Sequence, residues 1–388
     1  MTRSFPFLFF LFLLLLAGCA EKPRTVGAGL TNDDGAFLFA DTVLTNGADT
    51  SYVARFKTGL GLTNLVGRLS PAEEIFSLIN FTPDHQLDSL AGARIDSVEL
   101  RLIVNYRYPG TTVPFTVNAY HITTTWSQNT IMSDSAGSVG IGAQIGTASD
   151  SANYASTFII QIDTAEGRKW ATAFWDTTAP RYPGIALKAG PGNPGIVGFT
   201  SYSATYGPLL FIRYTKYGRR DSLYYSGGDD AFLPNYTVTG PLNKLMLRGG
   251  FGVRSMIRYD LGFLTKNTVV EGATLELTLD TAATTFSGFS PDTLSAMMVN
   301  SVTDLDVVDS TMVTIFGYRS AADSTSEPVY SFNVRTWGDL WARGVNKNQG
   351  ISLRWSSEYS TAEKVVFHSS ADPVASKRPK LKVIYAKK

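Results

Sequence analysis

The chain has 388 residues, with 34 basic and 33 acidic side chains and a formal net charge of +1. This balance argues against a nucleic-acid-binding protein, because phosphate binding needs a basic excess on one face. Charged residues are only 17% of the chain, whereas Gly, Ser, Thr, Tyr, Phe and Val are abundant, which is typical of an all-β exported protein with many turns.

The first 18 residues have the layout of a secretion signal. Arg3 supplies a positive charge, the stretch from Phe5 to Ala17 is apolar apart from Pro6, and polar residues begin at Glu21. This apolar stretch is shorter than the about 20 residues that cross a bilayer. We therefore expect it to be cleaved rather than to span the membrane.

The end of that segment, Leu16-Ala17-Gly18-Cys19, resembles the lipobox of bacterial lipoprotein precursors. The resemblance implies cleavage between Gly18 and Cys19 and a diacylglycerol on the thiol of Cys19, the only cysteine in the chain. Several acyl chains would make a stable membrane anchor. Ala20 stands where an aspartate would favour the inner membrane, so we expect the outer membrane, on either leaflet. An ordinary signal peptide that ends near a cysteine is the alternative.

Two halves of the chain carry the same blocks in the same order, which indicates a duplication. Residues 77–81 and 98–104 match residues 254–260 and 273–279. Further blocks match towards the end of each half: residues 184–188 with 350–354, 198–201 with 366–369, and 208–214 with 379–385.

Strand patterning dominates both halves. Apolar residues alternate with polar ones from Val98 to Val104 and again from Ala273 to Leu279, so one face of each strand is expected on a core. Helical patterning is scarce, and the one helix we predict covers Val334 to Arg343, with Trp337 and Trp341 on its buried face.

We therefore predict an all-β chain with two tandem β-sandwich, jelly-roll-like domains after a cleaved lipoprotein signal peptide. The predicted segments are a signal peptide (1–18), a lipidated cysteine with a flexible stalk (19–36), a first sandwich (37–216), a linker (217–222) and a second sandwich (223–388).

The blocks of the second half, from Arg254 to Asp260 through to Arg378 to Tyr385, resemble the DNRLRE domain of bacterial surface proteins. That resemblance implies a jelly-roll module similar to carbohydrate-binding modules. In the first half, the strand from Val117 to Gln128 also resembles the family's strand that runs into a Thr-Trp turn. The second half lacks that tryptophan, which suggests that the two modules have diverged.

No motif in the chain predicts an enzyme. The three histidines, His85, His121 and His368, have no metal-ligand spacing, and no nucleophile turn or phosphate loop is present. A polysaccharide-cleaving carboxylate pair is recognised only by its separation in space, so it stays as the third alternative.

The candidate ligand-binding residues are aromatic. Flat rings beside polar groups bind the apolar side of a sugar, and Tyr106, Tyr108, Tyr120 and Trp126 lie in such stretches. The alternative for each ring is a place in the core of a sandwich.

Two acidic pairs, Asp33 with Asp34 and Asp229 with Asp230, could offer oxygen ligands to a structural Ca²⁺, although neither matches a known calcium loop. Polar turns at strand ends are the alternative, and we expect no other cofactor.

Together these features predict an outer-membrane-anchored lipoprotein that binds a glycan or another cell-surface polymer. The alternative is an adhesive or structural scaffold that contacts envelope proteins and takes no small ligand. A groove studded with rings would favour binding, whereas an unprotected edge strand would favour the scaffold.

Overall fold

The fold was analysed in a computed structural model of the chain. It describes residues 38–81, 90–109, 114–176, 178, 182–191, 194–236, 244–288, 293–301, 303–305, 308, 310–320 and 326–387. The predicted signal peptide, Gly18, Cys19, and the pair Asp33 and Asp34 lie outside the described residues, as does His85.

The described residues form 21 strands and two α-helices, so the all-β prediction is confirmed. The strands before the first helix are β1 (Leu38–Leu44), β2 (Ala48–Val53), β3 (Thr63–Ser70), β4 (Glu73–Phe81), β5 (Arg94–Tyr108), β6 (Phe115–Ile122), β7 (Ile141–Asp150) and β8 (Thr157–Ile162). After α1 (Thr164–Trp175) come β9 (Ile185–Ala189), β10 (Gly195–Thr200), β11 (Leu209–Lys216), β12 (Arg219–Tyr236), β13 (Lys244–Arg248), β14 (Val253–Arg258), β15 (Thr268–Thr278), β16 (Thr293–Met298), β17 (Ile315–Arg319) and β18 (Val329–Asn333). After α2 (Arg335–Ala342) come β19 (Ile351–Trp355), β20 (Lys364–His368) and β21 (Lys380–Lys387).

The strands form two sandwiches. In the first, the order is β10-β3-β4-β12-β11-β5-β8-β7-β6-β9, and additional pairs of β4 with β9 and of β10 with β5 fold the sheet back over one core. In the second, the order is β1-β21-β15-β18-β17-β16-β19-β14-β13-β20, and β2 joins the sheet through β14. Each sandwich encloses its own cluster of buried apolar side chains.

The alternation of apolar and polar residues along the strands explains which side chains form these cores. Val98, Leu100 and Leu102 on β5 are fully buried, as are Leu275 and Leu277 on β15. Because successive side chains of a strand point to opposite faces, each strand leaves its other row of side chains on the outer side of the sheet.

The predicted helix is confirmed, since α2 covers Arg335–Ala342 and buries Trp337 and Trp341. The sequence prediction missed α1. Asp163 caps it by accepting a hydrogen bond from the backbone N–H of Ala165 at 2.6 Å. Glu166 stands three residues after Asp163, which is the spacing of a capping box and was the available signal.

The predicted linker at 217–222 is wrong. Tyr217 and Gly218 form a two-residue hairpin turn in which both residues have positive φ. Arg219 to Ser226 then pair with β11, and the rest of β12 pairs with β4. The first sandwich therefore extends to Tyr236.

The predicted start of the first sandwich at residue 37 is also wrong. Although β1 and β2 precede the first sandwich in the chain, β1 pairs with β21 and β2 pairs with β14, both strands of the second sandwich. In the same way β12, which precedes β13, pairs with β11 and β4 of the first sandwich. The two sandwiches thus exchange their leading strands reciprocally.

Equivalent contacts support this exchange. Ser77 on β4 donates its hydroxyl hydrogen bond to the carbonyl of Leu65, and Ser255 on β14 donates to the carbonyl of Met246. Each serine lies opposite an exchanged strand, Ser77 against Phe232 and Ser255 against Ser51. The two halves therefore share side-chain detail as well as topology, as duplication predicts.

A third apolar cluster joins the sandwiches. It includes Tyr106 and Ile196 from the first sandwich and Phe251 and Val366 from the second. An ion pair crosses the same junction, with Arg248 Nη1 at 2.5 Å from Glu73 Oε1. The sandwiches are consequently packed against each other through a desolvated interface.

Among the residues described, neither helix is long and apolar enough to cross a bilayer.

Candidate ligand-binding face

Two of the four rings that the sequence suggested for ligand binding lie in the interface between the sandwiches. Tyr106 is 3% exposed and Tyr108 is 4% exposed. The Tyr106 hydroxyl accepts a hydrogen bond from the backbone N–H of Ala362 at 2.9 Å and lies 3.3 Å from a carboxylate oxygen of Glu363, and burial raises its pKa well above the ordinary value. The assignment of these two rings to a ligand is wrong, because they are covered by the second sandwich.

The other two rings lie together, half-buried, on a separate surface. Tyr120 and Trp126 pack against an apolar cluster that contains Phe76 and Ile131. The indole N–H of Trp126 donates to the carbonyl of Pro183 at 2.8 Å, which fixes the ring in its turn. Ligand contact by Tyr120 and Trp126 stays a prediction.

Asp230 has a structural role on β12. Its two carboxylate oxygens accept hydrogen bonds from the side chains of Asn64 and Ser201, at 2.7 and 2.9 Å, and from the backbone N–H of Tyr202 at 2.6 Å. Burial raises the pKa of Asp230, and that of its half-buried neighbour Asp229. Within the described ranges no group of three or more His, Cys, Asp or Glu side chains could hold a metal ion, and calcium at this pair stays a prediction.

The outer surface of β8, β5, β11 and β12 presents a different set of side chains, which we call the Phe211 face. The register sets Tyr224, Phe211, Glu99 and Gln161 in one row across the four strands. A second row contains Ser226, Leu209, Arg101 and Ile159. Because directly opposite residues in an antiparallel sheet lie on the same face, these side chains form a continuous outer surface.

Two arginines and one glutamate organise the middle of this face. Glu99 accepts hydrogen bonds from Nη2 of Arg101 at 2.6 Å and from Nη1 of Arg213 at 2.9 Å. The guanidinium carbons of Arg101 and Arg213 also lie 4.1 and 5.0 Å from the ring centroid of Phe211, at cation–π distance. Although burial favours the neutral form of Glu99, the hydrogen bond and charge of Arg101, together with Arg213, lower its pKa.

One end of the Phe211 face continues into a groove of about 380 Å³, which we call the Tyr206 groove. Its lining includes Arg101, Thr157, Tyr202, Tyr206 and Ser226. Tyr206 is 71% exposed, and Tyr224 on the adjoining face is 68% exposed. The groove thus combines an accessible ring with hydroxyl and guanidinium groups.

Local contacts hold the loop that carries the groove. The hydroxyl of Tyr202 accepts a hydrogen bond from the side-chain amide of Gln128 at 2.6 Å, while its backbone N–H is bound by Asp230. The hydroxyl of Thr200 donates a hydrogen bond to the backbone carbonyl of Tyr206. The segment from Thr200 to Gly207 is therefore anchored at both ends, which presents Tyr206 in a defined position.

The equivalent face of the second sandwich has different chemistry. The matching blocks of the sequence set Lys382 at the position of Phe211, Glu276 at that of Arg101 and Ile384 at that of Arg213. Lys382 and Glu276 form a surface ion pair at 2.5 Å. The arginine and aromatic cluster is thus confined to the first sandwich.

A further polar cluster lies in the second sandwich around His368, which is buried. Its Nδ1 is 2.7 Å from Asp372 Oδ2, and its Nε2 is 3.0 Å from Glu327 Oε2. Lys244 lies 3.2 Å from Asp280 and 3.3 Å from Asp372. Acidic and basic side chains alternate in this cluster and are bonded to one another, which is typical of a structural ion network.

Sequence reasoning missed the Phe211 face although a signal for it was present. Leu210 and Ile212 are buried, so the alternation on β11 assigns Phe211 and Arg213 to the outer side. On β5 a bulge between Val104 and Tyr106, opposite Phe199 and Gly198, interrupts the alternation, so Tyr106 and Tyr108 face the second sandwich rather than the core that contains Leu102. Alternation along β11 would therefore have found Phe211 and Arg213, whereas the place of Tyr106 and Tyr108 depends on a bulge that the residue pattern does not show.

No protein-family model matches the chain, and no curated protein matches it. Among solved structures, the chain is 10% identical to one described as BspA_C_WT, with a TM-score of 0.14, covering 88% of this chain and 85% of that one. It is 11% identical to the VP2 subviral particle of infectious bursal disease virus, with a TM-score of 0.12, covering 92% of this chain and 79% of that one.

Proposed function

We propose that this protein is an outer-membrane-anchored surface lipoprotein that binds a glycan through the Tyr206 groove and the adjoining Phe211 face. The observation that carries the proposal is the exposed ring of Tyr206 beside a groove that also contains Thr157, Ser226 and Arg101. A flat ring covers the apolar side of a pyranose, while hydroxyl and guanidinium groups bond to its hydroxyls.

The position of the groove supports the same proposal. It lies on the outer surface of a rigid sheet, and the loop that carries Tyr206 is anchored by Asp230 and Gln128. A preformed site loses little conformational entropy when it binds a polymer. The resemblance of the sequence blocks to DNRLRE domains, similar to carbohydrate-binding modules, agrees with this role.

A polysaccharide and glycan-array screen of the full chain in detergent tests the binding proposal. We expect saturable binding that falls at least about tenfold in Tyr206→Ala and weakens in Tyr224→Ala, because each variant removes an exposed ring. Tyr217→Ala is the matched control, since Tyr217 is exposed at the hairpin turn of the same sheet. Absence of binding across the array would contradict the proposal.

The anchor is tested separately. Radiolabelled palmitate should be incorporated into the wild-type protein and lost in Cys19→Ala, which should leave the membrane fraction. Labelling of the Cys19→Ala variant would contradict lipidation at this residue.

One observation favours the second candidate, an envelope scaffold. In the described part of the chain β1 ends its sheet and pairs with β21 alone, and it exposes Phe39, at 73%, and Val43. An exposed edge strand with apolar side chains is a template for pairing with another protein. Crosslinking in cell envelopes through a photoreactive residue at position 39 would identify such a partner.

A further inference from the structure

We propose that the ligand of the Phe211 face is an acidic polysaccharide, whose carboxylate or sulfate groups are bound by Arg101 and Arg213. This inference rests on the proposed glycan-binding function and specifies its ligand class. Its first support is charge. Among the described residues that line the Tyr206 groove, Arg101 is the only charged one.

The charge of the cluster is not fully compensated. Glu99 is a single carboxylate between two guanidinium groups, so Arg101, Glu99 and Arg213 together carry one net positive charge. Their hydrogen bonds use Nε and Nη2 of Arg101 and Nη1 of Arg213. An arginine has five N–H donors, and within the described residues the remaining donors of these partly exposed side chains are left for a ligand.

The cluster is also held in place before a ligand arrives. Glu99 is buried and fixes both guanidinium groups, while the ring of Phe211 lies against each of them. A planar guanidinium forms paired hydrogen bonds with a carboxylate, and the contacts with Glu99 and Phe211 already restrict its rotamers before a ligand binds. Arg101 and Arg213 flank one ring, so a polymer with regularly repeated acidic groups could meet both.

The second sandwich provides an internal comparison. At the position of Arg101 it has Glu276, which would repel an anion, and its Lys382 is paired with that glutamate at 2.5 Å. Lys380 lies directly opposite Glu276 on the same face, so this place has two ammonium groups beside one carboxylate, and it has neither a guanidinium group nor a ring. The difference between the two faces is thus the pair of guanidinium groups around Phe211, which the first sandwich has at this position and the second lacks.

The test measures binding of the full chain in detergent to polygalacturonate and alginate, and to the neutral polymers galactan and amylose. We expect Arg101→Gln and Arg213→Gln each to lose at least about tenfold in affinity for the acidic polymers and to reduce any binding of the neutral polymers by a clearly smaller factor. Acidic binding should also weaken as salt rises. Arg101→Lys should keep part of the affinity for the acidic polymers, because lysine retains the positive charge but lacks the planar group that forms two parallel hydrogen bonds. Lys382→Gln is the matched control at the equivalent face.

The outcomes separate the two proposals. Binding of neutral polymers that depends on Tyr206, with no effect of either arginine variant, would overturn the acidic ligand and leave the glycan-binding function intact. If the wild type binds none of these polymers or any other glycan, both proposals fail. Near-ultraviolet circular dichroism verifies the fold of each variant, and Arg213→Gln keeps the test decisive if Arg101→Gln does not fold.

Discussion

Asp49 and Asp230 occupy equivalent positions on the two exchanged strands and make the same contact. Asp49 accepts a hydrogen bond from the backbone N–H of Ser370 at 2.6 Å, and Asp230 accepts one from the backbone N–H of Tyr202, also at 2.6 Å. Each carboxylate fastens a leading strand to the segment that follows β20 or β10 of the sandwich it has joined. Burial raises the pKa of both. The exchange is therefore secured by side chains as well as by backbone pairing.

Asp230→Asn should lower the free energy of unfolding by about 1–3 kcal/mol, because an amide nitrogen replaces one of two acceptor oxygens in a buried site. The pKa of Asp230 is raised in the folded state, so the folded protein binds the proton more tightly, and the wild type loses stability as pH rises from about 3.8 through the raised pKa. The difference between wild type and variant should thus be larger at acidic pH than at neutral pH. Urea unfolding across this range measures it, and a difference that grows with pH would contradict it.

Asp372 should show the opposite pH dependence. Burial would raise its pKa, but hydrogen bonds from the backbone N–H of Val374, from His368 and from Lys244 outweigh it and lower the pKa to about 2. Its contribution to stability is therefore present above about pH 4 and is lost as pH falls towards 2.

Asp372→Asn should accordingly destabilise the protein at neutral pH, with a difference from wild type that shrinks below about pH 4. Denaturant unfolding at several pH values measures this change. Asp41→Asn, at an exposed position on β1, is the control and should leave the stability nearly unchanged. A constant difference for Asp372→Asn down to about pH 2 would show that the network does not lower this pKa.

Removal of residues 1–53 should destabilise the second sandwich, although these residues precede the first. It takes away β1 and β2 and leaves one edge each of β21 and β14 without its partner. We expect a thermal midpoint lower by about 5 °C or more, together with self-association through the exposed edges. A chain without residues 1–36, which keeps β1, is the control. Equal stability of the two shortened chains would contradict the reciprocal exchange.

Tyr106→Phe should weaken the interface between the sandwiches without affecting ligand binding. The variant leaves the buried backbone N–H of Ala362 without the hydroxyl that accepts its hydrogen bond, at a cost of about 1–3 kcal/mol. Denaturant unfolding measures the loss, and Tyr217→Phe on the exposed hairpin turn is the control. If Tyr106→Phe lost glycan binding under conditions in which the variant is fully folded, the assignment of Tyr106 to the interface would be contradicted.

The amino-acid sequence by itself indicated the strand-rich fold, the matching blocks of the two halves and one of the two α-helices found in the described residues. Side-chain alternation is a local property, and the burial of Val98, Leu100 and Leu102 follows from it directly. The signal for the helix around Trp337 was also local, since its buried residues recur at helical spacing before Gly344.

Only the tertiary structure decided which strands meet. Pairing of β1 with β21 joins residues more than 300 positions apart, and no local pattern distinguishes that edge from the edge of the nearer sandwich. The same non-local packing buried Tyr106 beneath Ala362 and brought Arg101, Glu99 and Arg213 around Phe211 from two strands. Composition and spacing assign a side chain to a face of its strand, but the neighbour that covers that face, or leaves it open to a ligand, is set by the assembled sheets.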